Sequence, residues 1–113
     1  MTFDKTQNEI TEWSQRNFGE VPNTQIPYRI SSFLGMVEEI GELAHAMLKM
    51  AQGIRETREE HEEAVKDSIA DLLVFTLDFC GRNGMSAEQL LNDVWAKVKL
   101  RDWNKNKVTG GVE

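Results

Sequence analysis

The stretch Gly35–Leu48, GMVEEIGELAHAML, decides the architecture. At about 100° per residue, Glu38 and Glu42 fall about 40° apart on a helix, and Glu39 lies about 100° round from Glu38. Ile40, Leu43, Ala44 and Met47 occupy the other side. This is an amphipathic helix, predicted over Tyr28–Gln52 with Gly53 as its stop. A second stretch, Asp67–Cys80, DSIADLLVFTLDFC, has the same period but is apolar on most sides, as a buried helix is. Asp71 is therefore expected inside, where an acid needs a partner.

Working outward, Thr2 or Asp4 can cap a first helix running to about Phe18. Gly19–Tyr28 holds both prolines, Pro22 and Pro27, with Asn23 and Thr24, and reads as a loop. A third helix is predicted from about Glu59 to Arg82, ended by Asn83-Gly84. Ser86-Ala87-Glu88-Gln89 has the capping-box pattern and opens a fourth, which carries Leu90, Leu91, Val94, Trp95 and Val98 and fades near Asn106. Residues 107–113 are expected to be a loose tail. Strand signals are weak. The expectation is one all-α domain over residues 1–113, a bundle of about four helices.

Composition narrows the classes. The chain has 113 residues, 40% hydrophobic and 28% charged, which suits a folded domain rather than a disordered chain. Cys80 is the single cysteine, so no internal disulfide forms, and a reducing, cytoplasmic setting is expected. No apolar run approaches the roughly 18 residues of a membrane span, and no signal-peptide pattern opens the chain. The net charge of −6 argues against a nucleic-acid partner. The charge is unevenly spread. Glu38–Asp71 carries ten acids against four bases, whereas Lys97–Lys107 carries five bases and one acid. Acidic middle and basic tail either hold cations and phosphates together or are solvated faces that attract one another.

Glu38, Glu39 and Glu42 crowd one turn beside an apolar face, although like charges at i, i+4 cost a helix about 0.2–0.5 kcal/mol. Asp67 and Asp71 repeat the spacing on the next helix. Helices joined by a short connection pack antiparallel, so the two acidic faces can meet as a carboxylate cage. All-oxygen ligands suit Mg²⁺, with Mn²⁺ as the substitute, rather than zinc. The competing reading makes the three glutamates a solvated face and Asp71 a buried acid paired with a base. His45 completes a Glu-x-x-His half-motif of a di-iron bundle, but the sequence supplies no second copy.

On these residues the chain resembles the MazG-like nucleotide pyrophosphohydrolases of the all-α NTP pyrophosphatase superfamily. The signature E-E-x-x-E then E-x-x-D is matched by Glu38, Glu39 and Glu42 and by Asp71, but Ser68 stands where the second glutamate belongs and Asp67 is its nearest substitute. The likeness covers roughly Leu34–Asn104. It implies hydrolysis of a (deoxy)nucleoside triphosphate to the monophosphate and pyrophosphate, with Glu39, Glu42, Asp71 and, by inference, Asp67 as Mg²⁺ ligands. Glu38 would be an outer ligand or the group that orients the attacking water. Lys97 and Arg101, i and i+4 on the fourth helix, would receive phosphates, as would Lys49 on the acidic stripe; the alternative for all three is local counter-charge. Among Trp13, Trp95 and Trp103, Trp103 is the first choice for stacking on a base, because Arg101 and Asn104 flank it. A homodimer or tetramer is expected, because the Ile69–Cys80 helix is too apolar for one chain to cover. Two other readings stand beside this one: a phosphoribosyl-ATP pyrophosphohydrolase-like enzyme, and a non-catalytic helical regulatory or oligomerisation module.

Overall fold

A computed structural model describes residues 2–19 and 31–111. These residues form four helices and no strand: α1 (Phe3–Phe18), α2 (Ser31–Gln52), α3 (Arg58–Arg82) and α4 (Ala87–Val98). The expected proline loop, and the expected start of the second helix at Tyr28, lie outside the described residues.

Local chemistry accounts for each boundary. Thr2 caps α1 by accepting the Lys5 amide. At the end of α2, Gly53 adopts φ +68°, its N–H donates to the Met50 carbonyl and the Ile54 N–H reaches back to Lys49. That is a Schellman closure, which needs a residue at ease with positive φ. Thr57 and Glu60 form a reciprocal capping box, so α3 starts at Arg58, one residue before the sequence expectation. Ser86 accepts the Gln89 amide as expected, but the Gln89 side chain donates to Asp93 instead of completing the box.

The fourth helix ends at Val98, well short of Asn106. Asp102 and Asn106 capture nearby amides with their side chains, the competition that makes Asx residues poor helix interiors. Within the expected tail, residues 107–111 form hydrogen-bonded turns. The Gly110 N–H donates to Asn106 and its carbonyl accepts the Asp102 N–H. Gly110 is buried with φ +75°, and a side chain there would strike Arg101.

The centre of the fold is an antiparallel α2–α3 hairpin with close contact along its length. Gly35 allows the approach, since a Cβ at that position would collide with the Phe75 ring. His61 is buried at the turn and hydrogen-bonds the Ile54 carbonyl through Nε2 at 2.9 Å. α1 packs on α3, α4 touches α1 and α3, and neither α1 nor α4 packs directly on α2. Gln7 ties α1 to the α3–α4 turn by donating to the Met85 carbonyl and accepting the Ala87 amide.

Among the described apolar residues, Ala46, Leu77 and Cys80 are the buried ones, and none is fully sealed from solvent. Cys80 is a core thiol, its pKa pushed up by burial. α3, expected to be too apolar for one chain to cover, shows Ile69, Leu73 and Val74 to solvent, and α2 shows Val37, Ile40, Met47 and Leu48. The radius of gyration is 17.8 Å, against about 13 Å for a compact chain of this length. The helices form an open arrangement with long apolar strips on its outside.

Candidate functional site

Glu38 and Glu42 are exposed, whereas Glu39 is only 6% exposed and turns toward α3. One carboxylate oxygen from each of the three lies within 4.8 Å of the others. Glu39 Oε2 is buried and has no hydrogen-bond partner among the described residues. Its pKa is raised, first by burial and then by the negative charges of Glu42, Asp71 and Glu38. An orphaned buried carboxylate oxygen ringed by like charge is costly to maintain. A hard divalent cation answers both faults, and the all-oxygen donor set fits one.

Asp71 stands differently from its expectation. It is exposed, on the wall of a groove of about 590 Å³ that also takes in Glu42, His45, Glu60, His61, Asp67 and Ser68. It is therefore not a buried acid awaiting a base. The buried acid of α3 is Asp78, two turns further on. Its carboxylate accepts the Ser14 hydroxyl from α1, the Ser32 hydroxyl from α2 and Nε of Arg82. Arg82, itself buried, also donates to Ser14 Oγ and to the Gly19 carbonyl. This knot joins three helices. The sequence held one sign of it, an opposite-charge i, i+4 pair inside an apolar run.

The knot forms the polar floor of a pocket of about 430 Å³ between α1 and α2, where those helices fail to meet. Its walls are apolar: Ile10, Trp13, Phe18, Leu34, Val74 and Phe75. Trp13 and Phe18 meet edge to face at 5.6 Å between ring centres. Glu38 lies on the lip of this pocket and also belongs to the acidic trio, while Glu42, the next of the trio, lines the acidic groove. Pocket, carboxylates and groove thus follow one another along the α2–α3 hairpin.

The remaining candidates are placed elsewhere. Asp67 is exposed and shares the groove with Asp71; Ser68 is buried beside it. The Lys49 ammonium donates to Gln52 rather than to the acids. Lys97 lies on α4, which does not touch the helix carrying the glutamates, and Arg101 follows its end. The Arg101 guanidinium stands 6.0 Å from the centre of the Trp103 ring. Trp13, not Trp103, is the tryptophan that lines the pocket beside the acids. No helix among the described residues is long and apolar enough to cross a membrane. No protein-family model, curated protein or solved structure matches the chain.

Proposed function

We propose that this chain is an Mg²⁺-dependent pyrophosphohydrolase acting on nucleoside triphosphates between the α and β phosphates. The observation that carries the reading is Glu39: a buried carboxylate with an unpartnered oxygen, held among Glu38, Glu42 and Asp71. Supporting it is the order of the features, an aromatic-walled pocket sized for a ring, then carboxylates, then a polar groove.

Glu39, Glu42 and Asp71 would hold the cation, with Asp67 reaching it from the groove. When bound, the ion supplies neutralisation of the triphosphate charge and acidification of water. The chain's own residues do the rest. Glu38, at the junction of pocket and trio, orients a water toward the α-phosphorus and takes its proton on a carboxylate oxygen. The new P–O bond forms as the α–β bridging P–O bond breaks, and pyrophosphate leaves. The pocket between α1 and α2 holds the base and so places the α-phosphorus beside the trio. An acidic groove repels a triphosphate on its own, so cationic side chains must also serve. Lys97 and Arg101 fit that task if presented by a second copy, because α4 does not touch α2 of its own chain.

The experiment is incubation with a panel of ribo- and deoxynucleoside triphosphates and Mg²⁺, with pyrophosphate and monophosphate quantified. Equimolar release of the two from at least one triphosphate is expected. Absence of release across the panel, with folded protein and added Mg²⁺ or Mn²⁺, overturns the reading in favour of a non-catalytic helical module.

A further inference from the structure

The polar floor of the pocket between α1 and α2 is uneven in what it offers a ligand. Asp78 Oδ2 is occupied by the Ser14 and Ser32 hydroxyls and by Arg82 Nε at 3.1 Å. Oδ1 accepts only a longer bond, 3.3 Å, from the same Nε. Ser32 spends its proton on Asp78, so what its oxygen has left is acceptor capacity. Arg82 spends one N–H of Nη1 on the Gly19 carbonyl and one of Nη2 on Ser14, which leaves one N–H on each. Asp78 and Ser32 both line the pocket. Arg82 lines it too, so a ring in this pocket meets the acceptors Asp78 Oδ1 and Ser32 Oγ beside the guanidinium that pairs with Asp78.

A donor on that ring gains a charge-assisted hydrogen bond, whereas a carbonyl oxygen at the same place faces carboxylate and hydroxyl lone pairs. We propose that Asp78, braced by Ser14, Ser32 and Arg82, is the specificity-determining residue of this pocket and selects a nucleobase with an amino group on its pairing edge, cytosine or adenine, over its keto counterpart. The inference rests on the nucleotide reading above, and it concerns recognition of the ring rather than hydrolysis. The buried ion pair makes the selection affordable, since Arg82 has already neutralised the carboxylate and fixed its position.

The test uses free deoxynucleosides and the whole protein in EDTA, so that neither metal nor phosphate takes part. Trp13 lines the pocket and reports occupancy by quenching of its fluorescence, in a Trp95→Phe, Trp103→Phe background. Deoxycytidine is compared with deoxyuridine, and deoxyadenosine with deoxyinosine, because each pair differs by amino against keto. The amino member of each pair is expected to bind at least about tenfold more tightly. Asp78→Asn, which places an amide donor in the floor, is expected to abolish or reverse the preference. Ser32→Ala is expected to keep it. Equal affinities within both pairs, no quenching by any of the four, or a preference that survives in folded Asp78→Asn would overturn the proposal. So would loss of the preference in Ser32→Ala. If Asp78→Asn does not fold, as judged by circular dichroism, the unmutated pairs and Ser32→Ala decide. Pyrophosphate release with flat nucleoside affinities would sink this inference alone; absence of release would sink the activity.

Discussion

Glu39 couples fold stability to the proposed chemistry. Its pKa is raised in the folded chain, so the folded state holds a proton that the unfolded state gives up at lower pH. The stability tied to that proton is present at low pH and is lost as pH rises from the ordinary glutamate range through the raised value. In EDTA, Glu39→Gln should therefore gain melting temperature over the parent near neutral pH, and the gain should shrink as pH falls toward the ordinary glutamate range. In excess Mg²⁺ the order should reverse, because the ion stabilises the parent by mass action, by about 2.7 kcal/mol at a hundredfold excess over its Kd. Thermal melts across pH, with and without Mg²⁺, check both. A parallel comparison separates Asp67 from Ser68. Asp67 is exposed in the groove with a carboxylate to give, whereas Ser68 is buried with a neutral hydroxyl. Asp67→Asn should reduce Mg²⁺-dependent turnover by at least about tenfold. Ser68→Ala should alter mainly stability. Steady-state rates against Mg²⁺ concentration would show the opposite ranking if Ser68 were the functional position.

Among the elements, the α2–α3 hairpin sets Glu42, Asp67 and Asp71 along one groove, and its close approach depends on a glycine. A Cβ on Gly35 would strike the Phe75 ring. Gly35→Ala gains helix propensity, about 0.5–1 kcal/mol on an unconstrained helix. Here overpacking should outweigh that gain, with a net loss of about 1–3 kcal/mol in chemical denaturation. Because Phe75 also walls the pocket, the same variant should bind ring ligands more weakly. A stability equal to or above the parent would show that the ring moves aside freely. The helix boundaries were largely legible from caps and stops, as at Thr2, Gly53 and Ser86. The end of α4 was not. Apolar spacing extends past Val98, but side-chain hydrogen bonds from Asp102 and Asn106 and a buried glycine turn the backbone away, and periodicity carries no sign of such competition.

The whole molecule leaves apolar strips on α2, α3 and α4 uncovered, including Ile40, Leu48, Leu73, Leu91 and Trp95. Contiguous exposed apolar surface on this scale is what an interface between copies covers. The expected result is a particle at least twice the 12.9 kDa chain mass by light scattering at micromolar concentration. A monomer would contradict it. The same openness bears on the site. Mixing inactive Asp71→Asn with Arg101→Ala subunits should restore activity if α4 of one copy serves the acids of the next. No recovery in verified mixed oligomers would confine each site to one chain.

The sequence by itself determined the four helices, the crowding of Glu38, Glu39 and Glu42, and the second acidic face at Asp67 and Asp71, because caps and helical spacing are local properties. Which acid is buried was decided only by tertiary packing. Periodicity placed Asp71 inside an apolar helix, but the partners of α3 cover one side of it, so Asp71 opens onto a groove and Asp78 goes under. Asp78 tolerates that position because Ser14 from α1 and Ser32 from α2 converge on it beside Arg82 of its own helix, and no spacing along one chain segment reports the arrival of the two serines. The pocket above it has the same origin: α1 and α2 both approach α3 without packing on each other, and the gap between them exists only in three dimensions.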